Sequence, residues 1–197
     1  ISACLVGSEM CIETGHGLAH ANDLGLTGND KNILQAALVE EQIHELFFVK
    51  NGGKPLTSTF SFPHGPKTFT DLSTFLATQQ QLEGVFDSAF LAAIKEFAYL
   101  HQPILAMIAG EIACIESEHR ALGREIGTLH GISGYEVPDN WAFAPVFVES
   151  VSDAPALVAA AGYLSPKAGN SYTYQQVSTA DAGVMQRAPQ FAGEDND

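Results

Sequence analysis

The sequence predicts an all-α protein: a four-helix bundle with one long crossover connection, followed by a loop-rich extension that holds a short helix. Four segments repeat apolar residues at helical spacing, and the connections between them alternate in length. After residue 131 the chain becomes rich in aromatic, proline and turn residues. A chain of 197 residues can bury one sizeable core. We therefore predict a bundle domain over residues 1–130 and an extension over residues 131–197 that packs on it.

Start and stop signals delimit the predicted helices. The first helix runs through the opening residues, and the second covers about residues 30–50, before Asn51 and two glycines end it. The third begins near Thr70 and Asp71, which are both residue types that cap helices well. The fourth opens with Pro103, which the first turn of a helix tolerates. Because the first helix has no polar lead-in, we expect further residues upstream.

The lengths of the connections predict how the helices are joined. Residues 17–29 and 98–102 are short enough to link antiparallel neighbours, whereas residues 51–69 are long enough to travel the length of a bundle. Two hairpins joined by one long crossover is the connection pattern of ferritin-like bundles.

The extension has the pattern of a covering segment. A short helix is predicted over residues 155–164, followed by irregular chain through SYTYQQV and an acidic end. We expect the extension to contact the bundle through its large aromatic residues. These are Trp141, Phe143, Phe147 and Tyr163.

Composition excludes several classes of partner. The formal net charge is -14, with only nine Lys and Arg, so the chain lacks the basic surface that nucleic acid or an anionic membrane requires. No apolar run approaches the length that crosses a bilayer. Cationic partners, including metal ions, suit this charge. Only 16% of residues are charged, which favours an extracellular or periplasmic location.

The three cysteines do not form a disulfide framework. Cys4 and Cys11 would lie roughly 10 Å apart on one helix, too far to bridge. Cys114 could reach one of them across the bundle. We favour buried thiols over a disulfide.

Each predicted helix has a stripe of apolar residues along one face, and a few polar residues interrupt these stripes. These polar residues follow the same order in both halves of the chain. Each half has one Glu and then, about one helix later, a Glu-x-x-His motif, which places both side chains on one helix face. The set is Glu9, Glu41, His44, Glu83, Glu116 and His119.

This set suits a pair of metal ions. Four carboxylates converging in an apolar bundle would repel one another and lose solvation, and two cations offset both costs. Four Glu and two His are the ligands of di-iron and di-manganese carboxylate bundles, and imidazole favours such metals over calcium or magnesium. We predict that Glu41 and Glu116 bridge two iron or manganese ions. His44 and His119 would each bind one ion, with Glu9 and Glu83 as terminal ligands.

Alternatives stay open at several positions. Glu13 and His16 form a third Glu-x-x-His pair, so Glu13 or His16 replaces or supplements Glu9 in one version of the site. A buried Glu–His pair can also be a hydrogen-bonded core contact without metal. Glutamates off the stripes are predicted to be solvated, and the remaining histidines to lie on the surface or at helix ends. The glutamates are Glu40, Glu45, Glu111, Glu118 and Glu125; the histidines are His20, His64, His101 and His130.

Several segments resemble a known group, the ferritin-like domain of secreted bacterial and fungal desiccation-related and stress-response proteins. They are SEMCIETGHG, VEEQIHELF, TFSFPHGPKTFTDLSTFL, LEGVFDSAF, IACIESEHRALGREIG and, in the extension, WAFAPVFVESVSDAPALVAAAGYLS. The resemblance implies the bundle fold and metal ligands at the six positions above. His16 departs from it, because that position is usually Tyr.

These observations predict a dinuclear iron or manganese protein that reacts with dioxygen or hydrogen peroxide as a ferroxidase, a catalase-like enzyme or an oxidase. Whether the protein is an enzyme is left open. One alternative is a structural or protective extracellular scaffold that assembles without catalysis, as a homo-oligomer. The other is a protein that sequesters metal without redox chemistry.

Overall fold

A computed structural model of the chain describes residues 8–135 and 142–174, with the side chains of Ser8 and Glu9 outside the described part. Two short strands pair with each other, and 3₁₀ turns precede α3 and α5. The elements are α1 (Ser8–Ala19), α2 (Gly28–Lys50), β1 (Thr59–Phe60), α3 (Leu72–Tyr99), α4 (Pro103–Leu129), α5 (Ala154–Ala160) and β2 (Tyr172–Thr173).

The first four helices form the bundle. Helices α1 and α2 pack together as one hairpin and α3 and α4 as the other, with further contacts between α1 and α3 and between α2 and α4. The chain between α2 and α3 is the long crossover. This arrangement confirms the predicted all-α bundle with its extension. The predicted helix bounds lie within a few residues of the observed ones, except for the start of the first helix, which was predicted before residue 8 and lies outside the described residues.

Local chemistry explains where the helices begin. The Asp71 carboxylate accepts a hydrogen bond of 2.8 Å from the backbone N–H of Thr74, which caps α3. The backbone N–H of Thr27 donates to the carboxylate of Asp30 at 3.1 Å, which ties the start of α2. Pro103 occupies the first turn of α4, as predicted. Residues of the chain itself therefore define where α2, α3 and α4 begin.

The core is rich in aromatic residues, and α1 approaches α3 closely at Gly17. Phe75 and Phe86 are fully buried on α3. A Cβ atom at Gly17 would lie 2.5 Å from the Phe75 ring. Only glycine therefore fits at that point of contact, and it allows α1 to lie against the bundle centre.

The same argument predicts the effect of a substitution between α3 and α4. A Cβ at Gly123 would overlap Oε1 of Gln79 and lie 2.9 Å from its Cδ. Gln79 cannot easily move, because it is buried and its Nε2 donates to the His119 carbonyl at 2.9 Å. We expect Gly123→Ala to lower the free energy of unfolding by roughly 1–3 kcal/mol, measured by urea denaturation.

Gly110→Ala is the matched control on the same helix. A Cβ at Gly110 would lie 3.6 Å from the Ile94 side chain, an ordinary contact. Because alanine is the better helix former, this variant is expected to be neutral or more stable by up to about 1 kcal/mol. Equal stabilities of the two variants would contradict the close approach at Gln79.

The extension contacts the bundle in part as predicted. Tyr163 is buried, and the Phe147 ring lies over Gly84 although Phe147 is half exposed. The prediction for Phe143 is wrong, since 88% of its surface is exposed. Trp141 lies outside the described residues. The division into domains at residue 130 stays a prediction.

A strand pair connects the extension to the crossover. Strand β2, predicted as irregular chain, pairs antiparallel with β1, with Phe60 opposite Tyr172. The Asn170 side chain accepts from the Phe62 N–H at 3.0 Å and donates to the Phe62 carbonyl at 2.8 Å. The crossover is therefore held by residues more than one hundred positions later.

Two further predictions concern membranes and cysteines. In the described part of the chain, no helix is both long enough and apolar enough to cross a bilayer. Cys11 is buried, as predicted for the thiols, whereas Cys114 is exposed, so the prediction is wrong for Cys114. Cys4 lies outside the described residues.

Candidate metal centre

The bundle centre holds a group of buried acidic and imidazole side chains. Each of the four bundle helices contributes: α1 one Glu, α2 a Glu and a His, α3 one Glu, and α4 a Glu and a His. The side chains are those of Glu13, Glu41, His44, Glu83, Glu116 and His119, each at most 7% exposed. Five of the six predicted ligands are therefore buried at the centre of the described structure.

His119 lies among three carboxylates. Its Nδ1 is 3.2 Å from Oε1 of Glu41, 3.3 Å from Oε1 of Glu83 and 3.8 Å from Oε2 of Glu116. One ligand atom from each of these four residues can be chosen so that all lie within 4.8 Å of one another. Atoms that share an ion at about 2.0–2.2 Å lie no more than roughly 4.4 Å apart, so a small contraction of this group would place all four around one ion. The spacing thus suits a single ion between them.

His44 forms the other side of the group. Its Nδ1 is 3.3 Å from Oε1 of Glu116 and 3.8 Å from Oε2 of Glu41. Glu41 and Glu116 therefore each present one oxygen to His44 and the other to His119. Glu83 contacts His119. This is the arrangement expected if two carboxylates span two ions and each imidazole binds one.

Most of these atoms lack a hydrogen bond. The contacts lie within ion-pair distance, and two of them, at 3.8 Å, are too long for a hydrogen bond. Among the described residues, both carboxylate oxygens of Glu41 and of Glu116 lack a hydrogen-bond partner, as do Nδ1 of His44 and Nδ1 of His119. Buried polar atoms without partners are costly. Cations are the partners that this donor set fits, since the group offers carboxylate oxygens and imidazole nitrogens.

Helix α1 contributes Glu13 to the buried group. Glu13 is fully buried, one of its oxygens accepts from the Thr14 hydroxyl at 3.0 Å, and the other has no partner among the described residues. Its charge interacts with those of Glu41 and His119. The Glu9 side chain lies outside the described part, so its role stays a prediction. His16 instead packs against the rings of Phe69 and Tyr172, at centroid distances of 5.3 and 4.9 Å.

Glu40 holds the outer nitrogen of His119. The distance from His119 Nε2 to Oε2 of Glu40 is 2.9 Å. A proton on Nε2 leaves the lone pair of Nδ1 directed at the three carboxylates, which is how metal-binding histidines are commonly oriented. The prediction that Glu40 is only a solvated charge is wrong.

This contact predicts the effect of Glu40→Ala. We expect the affinity of the protein for metal to fall by roughly 10–100-fold, since the imidazole loses the partner that orients it. The fold should survive, because the Glu40 side chain is already 35% exposed. Isothermal titration of metal-free protein with Fe(II) or Mn(II) measures the change. Glu111→Ala, an exposed position on α4, is the control, and equal affinities of the two variants would contradict the assignment.

Burial and neighbouring charges raise the pKa values of three members of this group. Burial raises the pKa of Glu13 to about 8. Burial, together with the charges of Glu41 and Glu83, raises the pKa of Glu116 well above its usual range. Burial opposes protonation of His44, but Glu116 and Glu41 outweigh it and raise the pKa of His44 to about 9. Protons and metal ions must therefore compete for these atoms.

The pKa values of His119 and Glu41 are also set by competition between burial and neighbouring charged groups. Burial alone would lower the pKa of His119, but the charge of Glu83 and contacts with Glu40 and Glu41 raise it far above its usual range. Burial alone would raise the pKa of Glu41, but the two imidazoles hold it below its usual range. We therefore expect both imidazoles to be protonated in metal-free protein, where they balance part of the carboxylate charge.

Comparison with known proteins supports the fold. A family model described as a ferritin-like domain matches residues 12–128, more than half of the chain. The chain belongs to the ferritin-like domain family. No curated protein and no solved structure matched it in the same comparisons. The match spans all four helices of the ferritin-like bundle and includes Glu13 and the five central residues from α2, α3 and α4.

Sequence reasoning missed three residues of the ferritin-like centre or its surroundings. Glu40 and Glu45 stand off the apolar stripe of α2, yet Glu40 contacts His119 and Glu45 is only 3% exposed, with its pKa raised by burial to about 7. The prediction of a solvated Glu45 is therefore wrong. Nothing in the sequence indicated a role for Gln79. Its Nε2 lies 3.4 Å from Oε1 of Glu83.

Proposed function

We propose that this ferritin-like protein holds two transition-metal ions, iron or manganese, and reacts with dioxygen or hydrogen peroxide in protection against stress. The proposed ligands are Glu13, Glu41, His44, Glu83, Glu116 and His119. The observation that carries the proposal is the geometry of Glu41 and Glu116. Each directs one oxygen to each imidazole, and these oxygens lack hydrogen bonds among the described residues.

The donor set favours this class of metal. Carboxylate and imidazole together suit iron and manganese, whereas calcium and magnesium prefer oxygen ligands alone. Ions bound there would supply redox chemistry toward dioxygen or peroxide. The carboxylates of Glu41 and Glu116 would neutralise charge and set the spacing of the two positions, while Glu83 completes the position next to His119.

The surrounding residues prepare the ligands for this role. Glu40 keeps the Nε2 proton of His119 in place, so that Nδ1 faces inward. The Gln79 amide donates to the His119 carbonyl at 2.9 Å and lies near Glu83, which fixes α4 against α3 at the centre. All six ligands are buried, so bulk water does not screen their charges. Electrostatic interactions between them are therefore stronger than at the surface.

Stress protection and an extracellular or periplasmic location are part of this proposal. Their support is the likeness of the sequence segments to secreted desiccation-related and stress-response proteins. An acidic chain with few positive charges is also suited to collecting cations.

The test is loading metal-free protein with Fe(II) or Mn(II) and then following consumption of dioxygen and of hydrogen peroxide. We expect turnover or stoichiometric metal oxidation in the wild type and its loss in His119→Ala. Glu125→Ala, at an exposed position on α4, should behave as wild type. Tight metal binding without either reaction would indicate sequestration. Large assemblies that bind no metal would indicate a protective scaffold, and both results would refute the redox proposal.

A further inference from the structure

A cavity of about 450 Å³ lies at the end of the bundle where α2 and α3 finish and α4 begins. Its volume falls in the range of sites that bind small molecules, roughly 300–1,000 Å³. Most of its walls are apolar. They include Phe47, Phe48, Phe90, Phe97, Ile108 and Ile112.

The polar side chains in the described walls are already engaged with the protein. The Asn51 amide donates to the Phe47 carbonyl at 2.8 Å. Oε1 of Glu96 accepts from the Ser150 hydroxyl at 2.8 Å and from the Val151 N–H at 3.0 Å. A charged molecule entering the cavity would lose its hydration and meet few available partners. An apolar molecule has no such hydration to lose, and its transfer from water into the cavity would be favourable.

The inner end of the cavity lies beside the candidate metal centre. Phe48 follows His44 by one helical turn, and Ile112 precedes Glu116 by one turn. The Phe90 ring is 6.5 Å from the His44 ring and stacks on Phe48 at 5.9 Å. A molecule in the cavity would therefore be separated from His44 by little more than the Phe90 ring.

We propose that this cavity binds an uncharged molecule with a hydrocarbon chain, whose inner end lies against Phe90 and whose outer end reaches the surface at Leu100. Leu100 lines the cavity and is 62% exposed, which marks the mouth. Glu96 in the wall and the net charge of -14 disfavour an anionic ligand. The site goes beyond the proposed function, since binding there needs no metal.

The first experiment uses N-phenyl-1-naphthylamine, an uncharged fluorophore, with metal-free and metal-loaded protein. We expect saturable binding at one site per chain in both forms. 1-Decanol should displace the probe, and decanoate at pH 8 should compete at least about tenfold more weakly, because its charge is not compensated in the cavity. Failure to bind metal would leave these results unchanged, so this proposal and the metal proposal fail separately.

Variants that fill the cavity test its location. Ala93 on α3 and Ala109 on α4 are buried in its walls. Ala93→Phe and Ala109→Phe are each expected to weaken probe binding at least about tenfold by occupying the space. Ala98→Phe adds the same side chain at an exposed position on α3 and should bind as wild type. Circular dichroism confirms that each variant folds.

A measurement without variants covers the case in which the filled proteins do not fold. Crystals of the wild type soaked in 1-bromodecane should show anomalous bromine density in the cavity. Density elsewhere only, or probe binding that neither filling variant weakens, would overturn the proposal. Absence of probe binding, together with a dimer that Leu100→Glu dissociates, would show instead that a second copy covers the mouth.

Discussion

Glu41→Ala is expected to abolish binding of both metal ions, whereas Glu83→Ala is expected to remove only one. Glu41 presents one oxygen to His119 at 3.2 Å and the other to His44 at 3.8 Å. Glu83 contacts His119 at 3.3 Å. A carboxylate shared by two ions should affect both when it is removed, while a terminal ligand should affect its own ion.

The measurement is metal content per chain after loading and desalting, by plasma mass spectrometry. Wild type should retain two ions per chain, as expected for this ligand set. Glu41→Ala should retain almost none, and Glu83→Ala about one. Removing one carboxylate leaves a buried imidazole without a partner for its charge, so circular dichroism must show that each variant folds before its metal content is compared.

Glu118→Ala controls for the loss of a glutamate from a bundle helix, since Glu118 is exposed on α4. It should retain the wild-type metal content. If Glu83→Ala lost as much metal as Glu41→Ala, the two residues would have equal roles, and the bridging assignment would be wrong.

Metal-free protein is expected to lose stability as the pH rises from about 6.5 to 9, and metal-loaded protein is not. The pKa of His44 is raised to about 9, so its stabilising contribution is complete below the unfolded value near 6.5 and disappears as the pH passes 9. The raised pKa of His119 acts in the same direction. Glu13 is raised to about 8, so folding favours its neutral form, and stability falls between about pH 4.5 and 8.

The expected change is large for a single cluster. A shift of one pKa unit corresponds to about 1.4 kcal/mol, so His44 alone accounts for roughly 3 kcal/mol across this interval. Bound metal reverses the dependence, because the ligands must be deprotonated to bind and metal affinity therefore rises with pH.

Thermal unfolding of both forms between pH 6 and 9.5 tests this prediction. The melting temperature of the metal-free form should fall across the interval, while that of the loaded form should hold steady or rise. His44→Gln should flatten the dependence of the metal-free form. His101→Gln, at an exposed histidine before α4, should leave it unchanged. Parallel curves for the metal-free and metal-loaded forms would contradict competition between protons and cations.

Much of the fold could be read from local patterns. Helical spacing, Asp71 as a cap, Pro103 in a first turn and the long segment before α3 each depend on a few neighbouring residues. The paired Glu-x-x-His motifs likewise place two side chains on one face wherever the helix lies. Strand β2 was missed because its partner lies in the crossover, and a strand of two residues has no periodicity to detect.

The sequence by itself determined the bundle, its connection order and the five glutamates and histidines of α2, α3 and α4 that meet at its centre, because helix periodicity decides which side chains share a face. Only the tertiary structure decided that Glu13 is buried beside them, that Glu40 holds His119 and that Phe90 separates His44 from an apolar cavity. The reason is physical. A stripe pattern gives the direction of a side chain on its own helix, whereas these contacts depend on how far each helix is shifted along its neighbours.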